Sequence, residues 1–372
     1  MRSIALCISI LFTTALQAQI PSYGSANQLD VACWNIKWFG DLNNGPSDET
    51  MQFNNALKVF RETNVDVWGL SEISDDATFS RMIDSLSGYQ GIIAPINQSQ
   101  KTALMYDTSL FTVLFNKLVI TDKSYDFASG RFPFEVAMVP KYGNPNDTLI
   151  IIVLHLKANV GNASDKQKSW ERRKNAAGHL KTYISQTHST KKVVVLGDFN
   201  DDTDVSIYSP NPTPFDTLLN DASNYKFLTI GLSASNTGST VGRTDMIDHQ
   251  MVSDELFNAY IANSCKIMPL QNYITSYSST TSDHYPVTAS YNYQFVGIDQ
   301  PSTISLFIYP NPLKFNEKLK IENGKLIGVF DLNGKELNPD LFLNVNAIRK
   351  PGVYAIQIEL NGSVYHRKLL VQ

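Results

Sequence analysis

The sequence is poor in cysteine, in long apolar runs and in positive charge. Three cysteines among 372 residues exclude a disulfide-stapled scaffold and a cysteine-rich zinc domain. The net charge of −4 argues against a protein that coats nucleic acid through a wholly basic surface. Beyond the N-terminus no apolar run approaches the length of a membrane span, so we expect no stable membrane insertion. The length favours two folded units over one.

The first 18 residues have the pattern of a secretory signal peptide. Arg2 supplies a positive charge, and an apolar run from Ile4 to Leu16 follows that is too short for a stable membrane anchor. We expect cleavage near Ala18, with Ala15 as the competing site. A buried first helix is the alternative interpretation of this segment.

Residues 297–372 differ from the rest of the chain because they contain no helical periodicity. Ile356, Ile358 and Leu360 alternate with polar residues before Asn361-Gly362, a dipeptide typical of a tight hairpin turn. We therefore predict a small all-β sandwich domain over residues 297–372. A carbohydrate-binding module is the alternative for this segment, because small sandwiches host many functions.

The motifs of this C-terminal segment resemble a type IX secretion sorting domain. They occur in the order Tyr309-Pro310-Asn311-Pro312, residues 329–334, Gly352-Val353-Tyr354 and residues 367–371. The resemblance implies that the type IX secretion machinery is a partner of residues 297–372. It also implies that the protein passes the periplasm and is then secreted or attached to the cell surface.

Residues 19–296 alternate between strand-like and helix-like segments, which indicates α/β layering around a sheet core. We predict strands over residues 29–39, 65–70, 148–154 and 193–196. We also predict one helix that begins after an N-cap at Ser47 and a second helix over residues 171–184. This segment is the predicted catalytic domain.

Polar residues stand where these apolar strands end. They are the acids, amides, imidazoles and one lysine at Asn35, Glu72, His155, Lys157, Asp198, Asn200, Asp248, Asp283 and His284. A single residue of this kind is ordinary strand-end polarity. The whole series is typical of a functional site at one edge of a sheet sandwich.

The order of these residues resembles the endonuclease/exonuclease/phosphatase superfamily, whose fold the pancreatic-type deoxyribonucleases share. The matching motifs are Trp34-Asn35-Ile36, Ser71-Glu72-Ile73, His155-Leu156-Lys157, Gly197-Asp198-Phe199-Asn200, Ile247-Asp248-His249 and residues 282–287. The resemblance implies an α/β (α+β) fold, a four-layer α/β/β/α sandwich of two packed mixed sheets. It also implies a phosphoester hydrolase that depends on a divalent metal ion.

The chemistry of phosphodiester hydrolysis suggests which residues hold the metal. Carboxylate and amide oxygens suit Mg²⁺ or Mn²⁺, and also Ca²⁺, whereas zinc prefers cysteine and histidine. We expect Glu72 to be the main metal ligand. The family resemblance adds Asn35 and Asp283 as supporting ligands.

The remaining residues have expected roles in catalysis. We expect Asp198 to orient or deprotonate the attacking water, and Asn200, on the same strand end, to donate to the phosphorane oxygen. His284 is predicted to form a hydrogen bond with Asp248. This bond would fix the tautomer of the His284 imidazole and favour its cationic form. His155 is the expected partner on the side of the leaving oxygen.

Basic residues supply candidates for substrate binding. Lys157 is the expected phosphate clamp, whereas Arg131 either reaches the substrate or forms a structural salt bridge. Lys166, Lys168, Arg172, Arg173 and Lys174 form a basic stretch. This stretch is either a solvated helix face or a contact with the phosphate backbone.

The sequence predicts a secreted, divalent-metal-dependent phosphodiesterase that acts as an endonuclease on DNA or RNA. One alternative is a sphingomyelinase-like phosphoesterase for phospholipid head groups or small esters, with Tyr273, Ile274 and Tyr277 as exposed apolar anchors. Another is a catalytically dead surface module. The sequence leaves open DNA or RNA, endo or exo, the metal, the oligomeric state and whether Cys33 pairs with Cys265.

Overall fold

The computed structural model describes residues 19–25, 28–141, 147–293, 308–322, 324–331, 334–345, 347, 349–360 and 363–372. The predicted signal peptide, the predicted domain boundary at 296/297 and the turn residues Asn361-Gly362 lie outside these residues. The chain divides into two compact units, whose described residues fall within 1–298 and 299–372.

The larger unit contains two six-stranded mixed sheets. The strands of the first sheet are β1 Leu29–Phe39, β2 Val67–Ile73, β3 Tyr89–Ile93, β4 Lys101–Asp107, β11 Lys266–Ile267 and β12 Val287–Tyr291. Their order is β11-β12-β1-β2-β4-β3, and β1 and β2 are its parallel pair.

The strands of the second sheet are β5 Phe111–Leu118, β6 Phe134–Pro140, β7 Leu149–His155, β8 Lys192–Asp198, β9 Tyr225–Phe227 and β10 Asp248–Ser253. Their order is β5-β6-β7-β8-β10-β9, and β7 and β8 are its parallel pair. Each sheet therefore has a central parallel pair whose carboxyl ends reach the same edge.

In the described part of the larger unit, six α-helices connect these strands. They are α1 Glu49–Thr63, α2 Asp76–Asp84, α3 Ala163–Thr187, α4 Asp216–Leu219, α5 Ile230–Ala234 and α6 Tyr277–Thr280. Single 3-10 turns occur at Thr121–Lys123, Asp254–Leu256 and Leu270–Asn272. Among the residues that the structure describes, no helix is both long and apolar enough to span a membrane.

The two sheets pack face to face on an apolar core. Alternate side chains of β1, β7 and β8 point into this core because the side chains of a strand alternate between its two faces. A Cβ on Gly69 of β2 would lie 1.9 Å from Leu196 Cδ1 and 3.3 Å from Val153 Cγ2. At this position β2 therefore leaves no room for a side chain unless Leu196 moves. Cys33 and Cys265 are both buried and are free thiols, so they do not form a disulfide.

The outer faces of the sheets are covered by helices. α1 and α2 cover the first sheet through residues such as Phe60 and Phe79, and α3 covers the second through Ala176 and Leu180. The predicted four-layer α/β/β/α sandwich is confirmed.

Several predicted boundaries differ from the observed ones. Asp48 rather than Ser47 is the N-cap of α1, since its carboxylate accepts the Met51 N–H. The strand predicted to end at residue 70 continues through Glu72 to Ile73. α3 begins eight residues before the prediction, at Ala163, because the sequence interpretation missed the capping box of Asn162 and Asp165.

The smaller unit is a β domain with two sheets. Its strands are β13 Ile308–Tyr309, β14 Lys320–Ile321, β15 Lys325–Phe330, β16 Glu336–Leu337, β17 Gly352–Leu360 and β18 Ser363–Val371. β13 pairs with β14, and the larger sheet has the order β16-β15-β17-β18. The predicted hairpin is confirmed as the antiparallel pair β17–β18. A one-turn helix, α7 at Asp340–Leu343, was not predicted.

Candidate active site

Polar side chains replace apolar ones where the inter-sheet core reaches one edge of the sandwich. The inward positions of β1 carry Val31 and Cys33, and the next inward position is Asn35. In the same way β7 ends on His155 and β8 on Asp198, and β10 begins with Asp248. The alternation that builds the core therefore also brings these four side chains together.

Asn35 connects the two sheets at this edge. Its Nδ2 donates to Glu72 Oε1 at 3.1 Å and to Asp198 Oδ2 at 3.0 Å. Its Oδ1 accepts the Lys37 N–H at 2.9 Å, which fixes the orientation of the amide. One buried amide thus holds two carboxylates from opposite sheets close together.

Glu72 is directed into the site by an irregularity of the first sheet. The β1–β2 register shifts between Asn35 and Phe39, and Glu72 has a left-handed backbone with φ of 61°. Irregularities of this kind redirect side chains at the end of a sheet. Glu72 Oε2 accepts the Trp38 N–H at 3.0 Å, so each carboxylate oxygen has one donor and lone pairs to spare.

Asp198 is fully enclosed and close to other acids. Burial, followed by the nearby Asp248 carboxylate, raises the pKa of Asp198 to about 7. Its Oδ1 accepts the Asn200 N–H at 2.9 Å. Asn200 lies beyond the end of β8 with φ of 57°, so the predicted strand alternation does not place it. Its Nδ2 instead donates to the Leu156 carbonyl at 3.2 Å.

His284 and Asp248 form an ion pair between the sheets. His284 Nδ1 lies 2.8 Å from Asp248 Oδ2, as the sequence predicted. Burial alone would lower the pKa of His284, but Asp248 and its hydrogen bond raise it to about 10. His284 is therefore a cation at neutral pH. Ser282 fixes this loop, because its hydroxyl donates to the Asn35 carbonyl and accepts the His284 N–H.

His155 faces the two carboxylates that Asn35 connects. Its Nε2 lies 3.6 Å from Asp198 Oδ2 and 3.8 Å from Glu72 Oε1. Burial, followed by the charge of Arg131, holds the pKa of His155 well below its usual value. The imidazole is therefore neutral. Its Nδ1 has no hydrogen-bond partner among the residues that the structure describes.

Arg131 holds the end of β7 by hydrogen bonds to its backbone. Its Nε donates to the His155 carbonyl at 3.2 Å, and its Nη2 donates to the Leu156 carbonyl at 2.8 Å. Its Nη1 donates to Gln100 Oε1 at 2.6 Å. Of the two expected roles, these contacts favour a structural one, although the partners are carbonyls and an amide rather than an acid.

Asp283 does not join the cluster. Its side chain is exposed and makes no hydrogen bond to any residue in the described part of the chain.

Lys157 is half-buried, two residues beyond His155, and its carbonyl accepts from Arg173 Nη1 at 2.7 Å.

The proposed lipid anchors are not on the surface. Ile274 and Tyr277 are buried in the core between the first sheet and its helices, and Tyr273 is only partly exposed. Tyr277 instead donates its hydroxyl to the His284 carbonyl. The expectation of exposed apolar anchors in this segment was therefore wrong.

One buried ion pair beside the site was not predicted as a pair. Arg173 Nε and Nη2 both donate to Asp201 Oδ2, at 3.0 and 2.8 Å, and neither side chain is exposed to solvent. The pair joins α3 to the loop after β8. Arg173 had been placed in a solvated or substrate-binding stretch, because sequence spacing does not reveal a partner 28 residues away.

Comparison with known protein families gives one match. A family model described as the endonuclease/exonuclease/phosphatase family matches residues 32–284. No curated protein matches the chain significantly.

Two solved structures show the likeness in fold. An endonuclease/exonuclease/phosphatase from Bacteroides vulgatus has 17% identity and a TM-score of 0.52, over 71% of this chain and 98% of that one. D. rerio TDP2 complexed with a single-strand DNA product has 12% identity and a TM-score of 0.51, over 72% of this chain and 99% of that one. At these identities the likeness shows the fold alone. Because the family model matches residues 32–284, more than half of this chain, the chain belongs to the endonuclease/exonuclease/phosphatase family.

Proposed function

We propose that this protein is a divalent-metal-dependent phosphodiesterase that cleaves nucleic acid by attack of water on a backbone phosphate. The observation that carries the proposal is the pairing of two carboxylates, Glu72 and Asp198, through the single amide of Asn35. Family membership supports hydrolysis of a phosphoric ester. We propose nucleic acid as the substrate because D. rerio TDP2, whose fold is similar, is complexed with a single-strand DNA product.

The residues present fit a hard divalent cation. Glu72 and Asp198 bring two carboxylates to one buried edge, and burial, followed by the nearby Asp248 carboxylate, raises the pKa of Asp198. Oxygen donors of this type suit Mg²⁺ or Mn²⁺, and Ca²⁺ also takes them. When bound, such a cation neutralises the phosphate and polarises its oxygens. We place Glu72 as the main ligand, and Asn35 as a residue that orients the ligand, because its amide nitrogen donates to both carboxylates while its oxygen accepts the Lys37 N–H.

Asp198, Asp248 and His284 are a second group of possible metal ligands, but their chemistry fits proton transfer and phosphate binding better. Asp198, Asp248 and His284 each offer one ligand atom, and these atoms lie within 4.8 Å of one another. A protonated imidazole has no lone pair at the nitrogen that binds Asp248, and His284 has a pKa of about 10. We therefore assign His284 to the phosphate as a cation. Asp283 is exposed and remains a candidate only for a metal that reaches the rim of the site.

The chain's own groups can prepare the water and stabilise the transition state. Asp198 Oδ1 and Oδ2 each have one donor, so the carboxylate can still accept a hydrogen bond from a water. A pKa of about 7 suits a general base at neutral pH. The free N–H of the Asn200 amide and the cationic His284 can donate to the phosphorane oxygens.

Hydrolysis of nucleic acid tests this proposal directly. With Mg²⁺ or Mn²⁺, the protein should nick supercoiled plasmid and cut single-stranded oligonucleotides, and a chelator should abolish both reactions. Asp198→Asn should be inactive, whereas Lys191→Ala, at the opposite end of β8, should match the wild type. Equal activity of wild type and Asp198→Asn would overturn the proposal.

A phospholipid substrate is the competing possibility for the same chemistry. Release of phosphocholine from sphingomyelin vesicles, measured beside plasmid nicking, separates the two substrates. The burial of Ile274 and Tyr277 leaves this alternative without its expected membrane anchors.

We also propose that the smaller unit directs export by the type IX machinery, after residues 1–18 have acted as a signal peptide. The β17–β18 hairpin at the C-terminus and the Tyr309-Pro310-Asn311-Pro312 motif support this proposal. In a bacterium that has this pathway, removal of residues 297–372 should leave the protein in the periplasm. Unchanged secretion of the truncated protein would contradict it.

A further inference from the structure

A group of basic residues lies beyond His155, outside the catalytic cluster. Lys157 follows His155 by two residues, and Arg131 and Arg173 donate to backbone carbonyls of this segment. Each guanidinium nitrogen of Arg131 donates to the His155 or Leu156 carbonyl or to Gln100, and each nitrogen of Arg173 donates to Asp201 or to the Lys157 carbonyl. The Lys157 ammonium makes no hydrogen bond or ion pair with any described residue. Burial and the neighbouring Arg172 lower the pKa of Lys157.

Arg172 links this group to an exposed aromatic ring. Its Nε donates to the Tyr125 carbonyl at 2.6 Å, and its Nη2 donates to Ser129 Oγ at 3.1 Å. Its guanidinium carbon lies 4.5 Å from the centroid of the Tyr125 ring. Its Nη1 has no hydrogen-bond acceptor among the described residues, so this donor is available to a ligand.

Tyr125 is held in place yet open to solvent. The side chain is 60% exposed, although its backbone carbonyl and one face of its ring are fixed by Arg172. Exposed aromatic rings of this kind provide stacking surfaces for unpaired bases, and arginine adds a cation–π contribution.

The position of Tyr125 relative to the catalytic cluster follows from a chain of contacts. Arg172 joins Tyr125 to Ser129, which stands two residues before Arg131. Arg131 binds the carbonyl of His155, whose imidazole faces Asp198. The exposed ring, the free donor of Arg172 and the free ammonium therefore lie on the side of the cluster where β7 ends.

We propose that Tyr125, Arg172 and Lys157 form a subsite for the nucleotide adjacent to the scissile phosphate. The base of that nucleotide stacks on Tyr125, and its phosphate accepts from Arg172 Nη1 and Lys157 Nζ. This inference rests on the proposed function and narrows its substrate to nucleic acid with an unpaired base beside the cut. A small ester with one phosphate has no group for this subsite.

Two substrates and one ratio test the subsite. Bis(p-nitrophenyl) phosphate has a diester but no second phosphate or base, whereas a single-stranded oligodeoxynucleotide has both. Tyr125→Leu should lower the ratio of kcat/KM for the oligonucleotide to that for the small ester by about tenfold, the loss of one stacked base. Tyr125→Trp should preserve the ratio, because it retains a stacking surface. Lys191→Ala controls for the loss of one remote charge.

Binding gives a second readout that does not depend on turnover. On an Asp198→Ala background, Tyr125→Leu should weaken binding of a fluorescein-labelled oligonucleotide about tenfold, as measured by anisotropy. Arg172→Gln should reduce the slope of log affinity against log salt by about one, as expected for one lost phosphate contact. Circular dichroism melts verify that the variants are folded.

The outcomes separate this inference from the proposed function. If the protein cuts oligonucleotides but Tyr125→Leu changes neither the ratio nor the binding, the subsite is refuted and the function stands. If the protein cuts neither substrate but binds the oligonucleotide through Tyr125, the function fails and the subsite stands. Equal loss on both substrates with unchanged binding would show a structural role for Tyr125 and would also refute the subsite.

Discussion

Asp248 begins β10 of the second sheet, His284 lies in the loop before β12 of the first sheet, and a hydrogen bond of 2.8 Å joins the two side chains. In the same way, the amide of Asn35 in the first sheet donates to Asp198 in the second sheet. These two hydrogen bonds hold the side chains of the two halves of the site in position. The pair also sets the charge of His284, whose pKa of about 10 depends on the neighbouring carboxylate.

Asp248→Asn should lower the pKa of His284, because burial opposes the cation once the carboxylate is gone. The cation is present below the folded pKa, so the wild type should keep activity up to about pH 10 and lose it above. In the variant, activity should begin to fall at a much lower pH, and kcat at pH 8 should be reduced by about 10²–10³, as for the loss of one donor to the transition-state oxygens. A pH–rate profile with bis(p-nitrophenyl) phosphate measures the shift. Asp254→Asn, just after β10, should retain the wild-type profile.

Asn35→Ala should move the acidic limb of the pH–rate profile to higher pH. The hydrogen bond from Asn35 lowers the pKa of Asp198, so its removal leaves Asp198 protonated over a wider range. Mg²⁺ affinity should also fall by about 10–100-fold, as for other residues that orient a ligand. Calorimetric titration with Mg²⁺ checks the second effect, and the exposed Asn175→Ala is the matched control. An unshifted acidic limb would show that Asp198 is not the base.

Glu72→Gln should raise the Mg²⁺ concentration needed for half-maximal activity by at least about tenfold. The substitution keeps the size of the side chain and its acceptor for the Trp38 N–H, but removes the charge. Glu255→Gln, on the 3-10 turn after β10, tests the loss of a carboxylate outside the site. If the metal requirement is the same in all three proteins, Glu72 is not the main ligand.

Arg173→Met should destabilise the catalytic unit by about 3–5 kcal/mol, because it leaves Asp201 as an unpaired buried charge. The free energy of unfolding in urea measures this loss. Lys174→Met, the exposed neighbour on α3, should change stability by less than about 0.5 kcal/mol. The double variant Arg173→Met/Asp201→Leu should recover part of the loss, since it removes the orphaned charge. A loss in the double variant as large as in the single one would contradict this account.

The sequence predicts the site best where regular strands carry it. His155 and Asp198 end apolar strands of period two, so their placement on one edge follows from strand geometry. Glu72 and Asn200 have left-handed backbones just where regular geometry stops, and no periodicity reveals where such residues point. Their positions depend on a register shift and on hydrogen bonds to the neighbouring strand of the same sheet or to the residue that follows it.

A partner that is distant in sequence cannot be recognised from the local sequence. No feature of the residues around His188 indicates burial, yet His188 is buried and its Nε2 lies 2.8 Å from Glu135 Oε2. Arg173 reads as one more charge of a basic helix, yet it is enclosed with Asp201. In both cases the deciding partner lies on another element, and burial of a charge depends on that partner rather than on local sequence.

The absent side chain of Gly69 has a consequence for catalysis. Asn35 and Glu72 belong to one sheet, and His155 and Asp198 belong to the other, so the spacing of the two sheets fixes the width of the catalytic cleft. At Gly69 the space between the sheets holds no Cβ, which would lie 1.9 Å from Leu196 Cδ1. The contact between the Gly69 backbone and the Leu196 side chain therefore contributes to the distance between the two halves of the site. A methyl group added at Gly69 would displace Leu196 or separate the sheets, and we expect it to slow the reaction, although it touches none of the polar residues of the site.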